Sequence, residues 1–268
     1  MRMTLRRLLM LFPLLAALGV TAAHAQVLGP EESTAKAKEL IQQAIEALGG
    51  EKYLNLRDAS CTGRFASYDN HGQLTGFTPF WDFNIYPDKS RTEYSSKRNV
   101  IFVYNGNQGW VLDRGGVEVA PADDVDRFQE GLLKSADHLL RYRLKEEGLS
   151  FRYLGTEIVD LKRMDWIEIV DRERRSIRLA LDQKTRLPMR TMALVRDRAT
   201  RRRVEELETL SNYHSFGGVM MPKQIARDQN GRQVYKVFFT DCQFNTGLDE
   251  MLFTREGLDQ TWVKLGKK

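Results

Sequence analysis

The stretch Phe77-Thr78-Pro79-Phe80-Trp81-Asp82-Phe83-Asn84-Ile85 decides the fold. Phe77, Pro79, Trp81, Phe83 and Ile85 alternate with Thr78, Asp82 and Asn84, a period of two that makes a β-strand with one strongly apolar face. The same period continues outward on both sides. Upstream lie a strand over Cys61 to Ser67 and a turn at Asp69-Asn70-His71-Gly72. Downstream, strands over Arg91 to Ser96, Val100 to Tyr104, Gly109 to Asp113 and Val117 to Ala120 are separated by Lys97-Arg98-Asn99, Asn105-Gly106 and Gly115-Gly116. Seven more follow between Phe151 and Phe244, with Asn230-Gly231 as the clearest hairpin turn. Two segments break the period. Residues 33–48 place Ala37, Leu40, Ile41, Ala44, Ile45 and Leu48 on one helical face, with Ser33 or Thr34 as cap and Gly49-Gly50 as stop. Residues 123–142 do the same with Val125, Phe128, Leu132, Ala136, Leu139 and Leu140. Some 11–13 antiparallel strands cannot stay flat, because strand twist accumulates across the sheet. The expected fold is therefore mainly β (α+β), a strongly curved, unclosed half-barrel with two helices covering its concave side.

A sheet curved in this way encloses more volume than its own side chains fill, so it is expected to hold an apolar ligand cavity. Trp81, Phe83 and Ile85, joined by Phe65, Trp110 and Leu112, are the candidate lipid-binding wall. Taken singly, each is equally a core residue packed between helix and sheet; only the set, with helices as a lid, points to a pocket.

The first 25 residues read as a signal peptide. Arg2, Arg6 and Arg7 precede the apolar run Leu8 to Val20, and Ala23-His24-Ala25 is a small-x-small cleavage site. Residues 26–268 contain no Pro/Gly/Ser linker and read as one domain. The full chain has 41 Lys+Arg against 36 Asp+Glu, and removal of the three signal arginines leaves 38 against 36. That balance excludes nucleic acid as a partner. Basic residues cluster at Arg172 to Arg175 and Arg196 to Arg203, as hairpin tips or as docking patches for an acidic surface. In an oxidising compartment Cys61 and Cys242 are either a disulfide closing a loop of about 180 residues or two small buried hydrophobes.

Together these features resemble a family. An opening helix ending in Ala47-Leu48-Gly49-Gly50, a strand meander, the Tyr104-Asn105-Gly106-Asn107-Gln108-Gly109-Trp110 turn, a mid-chain helix and a closing Phe239-Thr240-Asp241-Cys242-Gln243-Phe244-Asn245 strand before Phe253 are similar to the outer-membrane lipoprotein-sorting proteins, the LolA, LolB and RseB superfamily. The resemblance implies an unclosed antiparallel barrel lidded by helices, a periplasmic location, and binding of acyl chains for passage to the outer membrane. It further implies a helix-latching arginine, for which Arg64 is the candidate. The partners it implies are a lipid or acylated lipoprotein and an inner- or outer-membrane protein. The same fold could serve instead as an RseB-like sensor that regulates a membrane partner.

Catalytic signatures are missing from the sequence. His71, His138 and His214 are scattered and form no H-E-x-x-H, and there is no G-x-S-x-G elbow, phosphate-binding loop or G-x-G-x-x-G. The carboxylate pairs Asp123-Asp124 and Glu205-Glu206 sit at a helix start and on an alternating strand, where both are expected to be solvated. No cofactor, no metal and no covalent step are expected.

Overall fold

The computed structural model describes residues 28–196 and 202–266. The signal segment and most of the Arg196 to Arg203 run lie outside the described residues.

Thirteen strands form one antiparallel sheet. They are β1 (Asp58–Tyr68), β2 (Leu74–Ile85), β3 (Lys89–Tyr94), β4 (Val100–Asn105), β5 (Gln108–Asp113), β6 (Gly116–Val119), β7 (Ser150–Val159), β8 (Lys162–Val170), β9 (Ser176–Asp182), β10 (Pro188–Arg196), β11 (Arg203–Phe216), β12 (Val219–Gln229) and β13 (Arg232–Phe244). The order across the sheet is β6-β5-β4-β3-β2-β1-β13-β12-β11-β10-β9-β8-β7. Two meanders are thus sewn together where the first strand pairs with the last. The sheet is unclosed, and a right-twisted sheet of this width coils into a half-barrel.

The edges of the sheet, β6 and β7, are consecutive in the chain. Their connection must therefore cross the open side of the barrel, and it does so as α3 (Ala122–Lys134) and α4 (Ala136–Arg141). The pattern over 123–142 is accordingly two helices, not one. Ser135 breaks it with an extended ψ of 133°, and its hydroxyl then accepts the His138 N–H at 3.5 Å to begin α4.

A helix α1 (Pro30–Leu48) runs along the same side, with the short α2 (Glu51–Leu54) after it. It buries Ala37, Leu40, Ile41, Ala44, Ile45 and Leu48 against Leu139 and Leu140 of α4 and against Ile167, Leu179 and Leu181 of the sheet. The helix begins at Pro30, so Ser33 and Thr34 are not its caps. Ser33 Oγ instead accepts the Tyr153 N–H at 3.0 Å, and Thr34 Oγ1 donates to the Phe151 carbonyl at 3.0 Å. Both occupy edge strand β7, which would otherwise be open to pairing with another chain.

The sequence pattern had no helix after β13, yet α5 (Arg255–Gly266) is there. Asp58 turns the chain toward it by accepting from the N–H groups of Thr246 (2.7 Å) and Gly247 (3.0 Å). Phe253 and Leu258, both fully buried, then pack on Ile101, Val103 and Leu112. Arg91, only 2% exposed, ties this layer down by donating to the Leu252 carbonyl (3.0 Å), to Thr261 Oγ1 (3.3 Å) and to Glu93 (2.6 Å). No helix among the described residues is long and apolar enough to cross a membrane.

Candidate ligand cavity

Cross-strand register sorts the side chains of β1 to β5 into two faces. Phe83, Arg91, Val103 and Trp110 form one row, and Trp81, Glu93, Ile101 and Leu112 the next row on the same face. On the opposite face Cys61, Asp82, Thr92 and Phe102 stand in line. The alternation in Phe77 to Ile85 is as the sequence states it, but its orientation is the reverse of that expected. Phe83, Ile85, Trp110 and Leu112 lie on the outer face with α5 packed over them. Trp81 shares that face and is covered by the Arg98 guanidinium, 4.9 Å from its ring centroid. Of the six expected wall residues Phe65 alone faces inward. It packs against Tyr94 and Tyr235, each with centroids at 5.6 Å, in an aromatic run that continues through Phe102 beside Tyr94 and through Phe80 against Phe239.

The inner face holds a cavity of about 210 Å³. Ordered water needs roughly 10–15 Å³ on the same kind of measure, so the space is far larger than a hydration site. Its floor comes from β1, β2, β11, β12 and β13, through Ala59, Leu210, Ile225 and Phe239 among others. Its roof comes from the end of α1, from Tyr53 of α2, and from Ala136 and Leu140 of α4. Cys61 is in the wall, disulfide-bonded to Cys242 across the β1–β13 seam.

The roof is latched by an arginine. Arg141 of α4, its side chain fully buried, donates to the Leu56 carbonyl at 2.6 Å, to Tyr142 Oη at 2.7 Å and to Asp137 at 2.9 Å. Its guanidinium stacks 3.9 Å from the Tyr86 ring centroid, with Tyr53 at 5.7 Å. Arg64, the candidate from family resemblance, does not do this: it is exposed on the outer face over Phe77. The other end of the lid is held by Lys134, whose ammonium lies 2.6 Å from Glu206. Glu206 is therefore turned inward and paired with Lys134 and Arg227 (3.3 Å), not solvated as the alternation suggested. The lid covers the face of strand β11 that carries Glu206.

Two carboxyls in the cavity wall behave unusually. Burial pushes Asp82 above its ordinary range, against the opposing hydrogen bonds from Thr92 Oγ1 (2.7 Å) and Asn84 Nδ2 (2.8 Å). Burial raises Glu208 too, outweighing the Arg227 guanidinium 4.0 Å away. Asp82 sits in the middle of the stretch that identifies β2, where it read as an outward polar residue. The signal that it faces inward is its place opposite Cys61, which no sequence period reveals.

A pH test follows from Asp82. With a folded-state pKa above its ordinary 3.8, Asp82 contributes stability that is complete below that value and is lost as pH rises through its folded titration. Asp82→Asn removes the ionisation. Urea unfolding between about pH 4 and pH 8 should therefore show the variant gaining on the parent as pH rises. A difference that stays level across that range would mean the carboxyl ionises freely.

Among the described residues no group of three or more His, Cys, Asp or Glu side chains could hold a metal ion. No protein-family model and no curated protein matches the chain. Solved structures do. A DUF1329 family protein from Desulfovibrio piger superposes with a TM-score of 0.59 at 13% identity, covering 83% of this chain and 98% of its own. A LolA superfamily protein from Nitrosomonas europaea gives 0.53 at 14%, over 83% and 99%. A domain from Vibrio parahaemolyticus assigned to outer membrane lipoprotein sorting gives 0.54 at 14%, over 84% and 99%. The chain shares the fold of these structures, one of which is a LolA superfamily protein, and that is the unclosed antiparallel architecture the resemblance implied.

Proposed function

We propose that the protein is a non-enzymatic periplasmic carrier that shelters acyl chains of a lipoprotein, or of another lipid, on the way to the outer membrane. The observation that carries this reading is the lid. A connection forced to run from one sheet edge to the other roofs an apolar cavity, and polar contacts that can re-form in water hold it shut. Each methylene moved from water into such a space gains about 0.8 kcal/mol, so ten of them offer roughly 8 kcal/mol before the costs of association. Release needs the lid to open, and Arg141 and Lys134 are the contacts that opening would break. The likeness to a LolA superfamily structure and to a lipoprotein-sorting domain supports the same reading.

The test is occlusion. Leu210→Trp and, separately, Ile225→Trp place an indole in the space of two or three methylenes, so uptake of a fluorescent acyl probe should weaken roughly tenfold or more. Trp81→Asp, on the outer face, should leave uptake unchanged. If the occluding variants fold and bind the probe like the parent, the cavity is not where acyl chains go.

A further inference from the structure

The cavity wall carries acids and no bases. Asp82, Asp137 and Glu208 line it, and no lysine, arginine or histidine does so among the described residues. These three are not equivalent. Asp137 is paired with Arg141 at 2.9 Å. Glu208 has Arg227 at 4.0 Å, within a cluster that also contains Glu206 and Lys134. Asp82 is paired with no cation among the described residues. Its two oxygens take hydrogen bonds from the neutral side chains of Thr92 on β3 and Asn84 on β2, and its cross-strand neighbour on β1 is the disulfide-bonded Cys61.

This arrangement has a chemical reading. Thr92 and Asn84 each donate to a different oxygen, which orients the carboxylate as an acceptor and leaves further lone pairs open. A carboxylate without a counter-charge in an apolar space is costly, and a cation that arrives with its own N–H donors offsets part of that cost. An anionic head would meet three carboxyls instead. A neutral head such as a hydroxyl would also donate to the carboxylate, but it would bring no charge to balance it.

We propose that Asp82 makes the cavity selective for an apolar chain bearing a primary ammonium group, which donates to its carboxylate. The inference rests on the cavity being the ligand site. It adds the charge of the ligand, which neither the fold nor the apolar walls specify.

The experiment compares three twelve-carbon probes below their aggregation concentrations: dodecylamine, dodecanol and dodecanoate. Each displaces the neutral dye N-phenyl-1-naphthylamine from the full mature chain near neutral pH. Dodecylamine should bind about tenfold or more tighter than dodecanol, with dodecanoate weakest, because only the ammonium balances the carboxylate charge as well as donating to it. Asp82→Asn should bring amine and alcohol within about twofold of each other, while Asp82→Glu keeps the preference. Equal binding of amine and alcohol by the parent protein would overturn the proposal and leave the carrier reading intact. So would a preference that survives in Asp82→Asn. If neither the dye nor any of the three probes binds, the cavity is not a ligand site and both readings fall.

Discussion

Replacing Cys61 and Cys242 together by alanine should lower the folding stability by about 4–5 kcal/mol. The two residues are 181 apart in sequence, so the bridge removes a very long loop from the unfolded ensemble. Its position adds to that. It ties the first strand of the sheet to the last, at the seam on which both meanders depend. Alanine avoids burying a hydroxyl where Cys61 and Cys242 are only 3% and 5% exposed. Urea unfolding should also show a steeper denaturant dependence for the variant, because an uncrosslinked chain exposes more surface on unfolding. A loss under about 1 kcal/mol would mean that the seam holds without its staple and that strand pairing alone closes the long loop.

Arg141→Met comes second, at about 3 kcal/mol. Methionine keeps much of the volume but strands the Leu56 carbonyl and leaves the Tyr86 and Tyr53 rings without the cation they face. The loss should be local as well as global. Amide hydrogen exchange in α4 and in residues 53–57 should speed up well before that in β8 and β9, since Arg141 joins the lid to the barrel and takes no part in the sheet. If α4 stays as protected as in the parent, the lid is held by Leu139 and Leu140 packing on α1 and the arginine is not its latch.

Both predictions concern features that a linear reading reaches only halfway. Cys61 and Cys242 are visible as two cysteines in strands, but whether they meet depends on β13 returning to β1. Arg141 follows two leucines of an amphipathic helix and looks like its solvated end. It is buried because α4 is turned at Ser135 toward Leu56 and Tyr86, from segments more than fifty residues away. Asp82 is similar: its polarity reads as exposure until Cys61 and Thr92 are placed beside it.

What the sequence by itself determined was periodicity: where the chain is strand or helix, and which residues of one strand share a face. Those are local properties, set by the geometry of a pleated or helical backbone and by turn residues such as Asn230-Gly231. Only the tertiary structure decided which face is the inside. Over residues 80–85 of β2 both faces are covered, one on the lid side with Asp82 and Phe80, the other by α5 over Phe83 and Ile85. A period of two distinguishes two faces but gives neither a direction. The direction came from pairing and packing between segments far apart in the chain, the β1–β13 seam and the C-terminal helix, because a curved sheet has its hollow wherever the remainder of the chain folds across it.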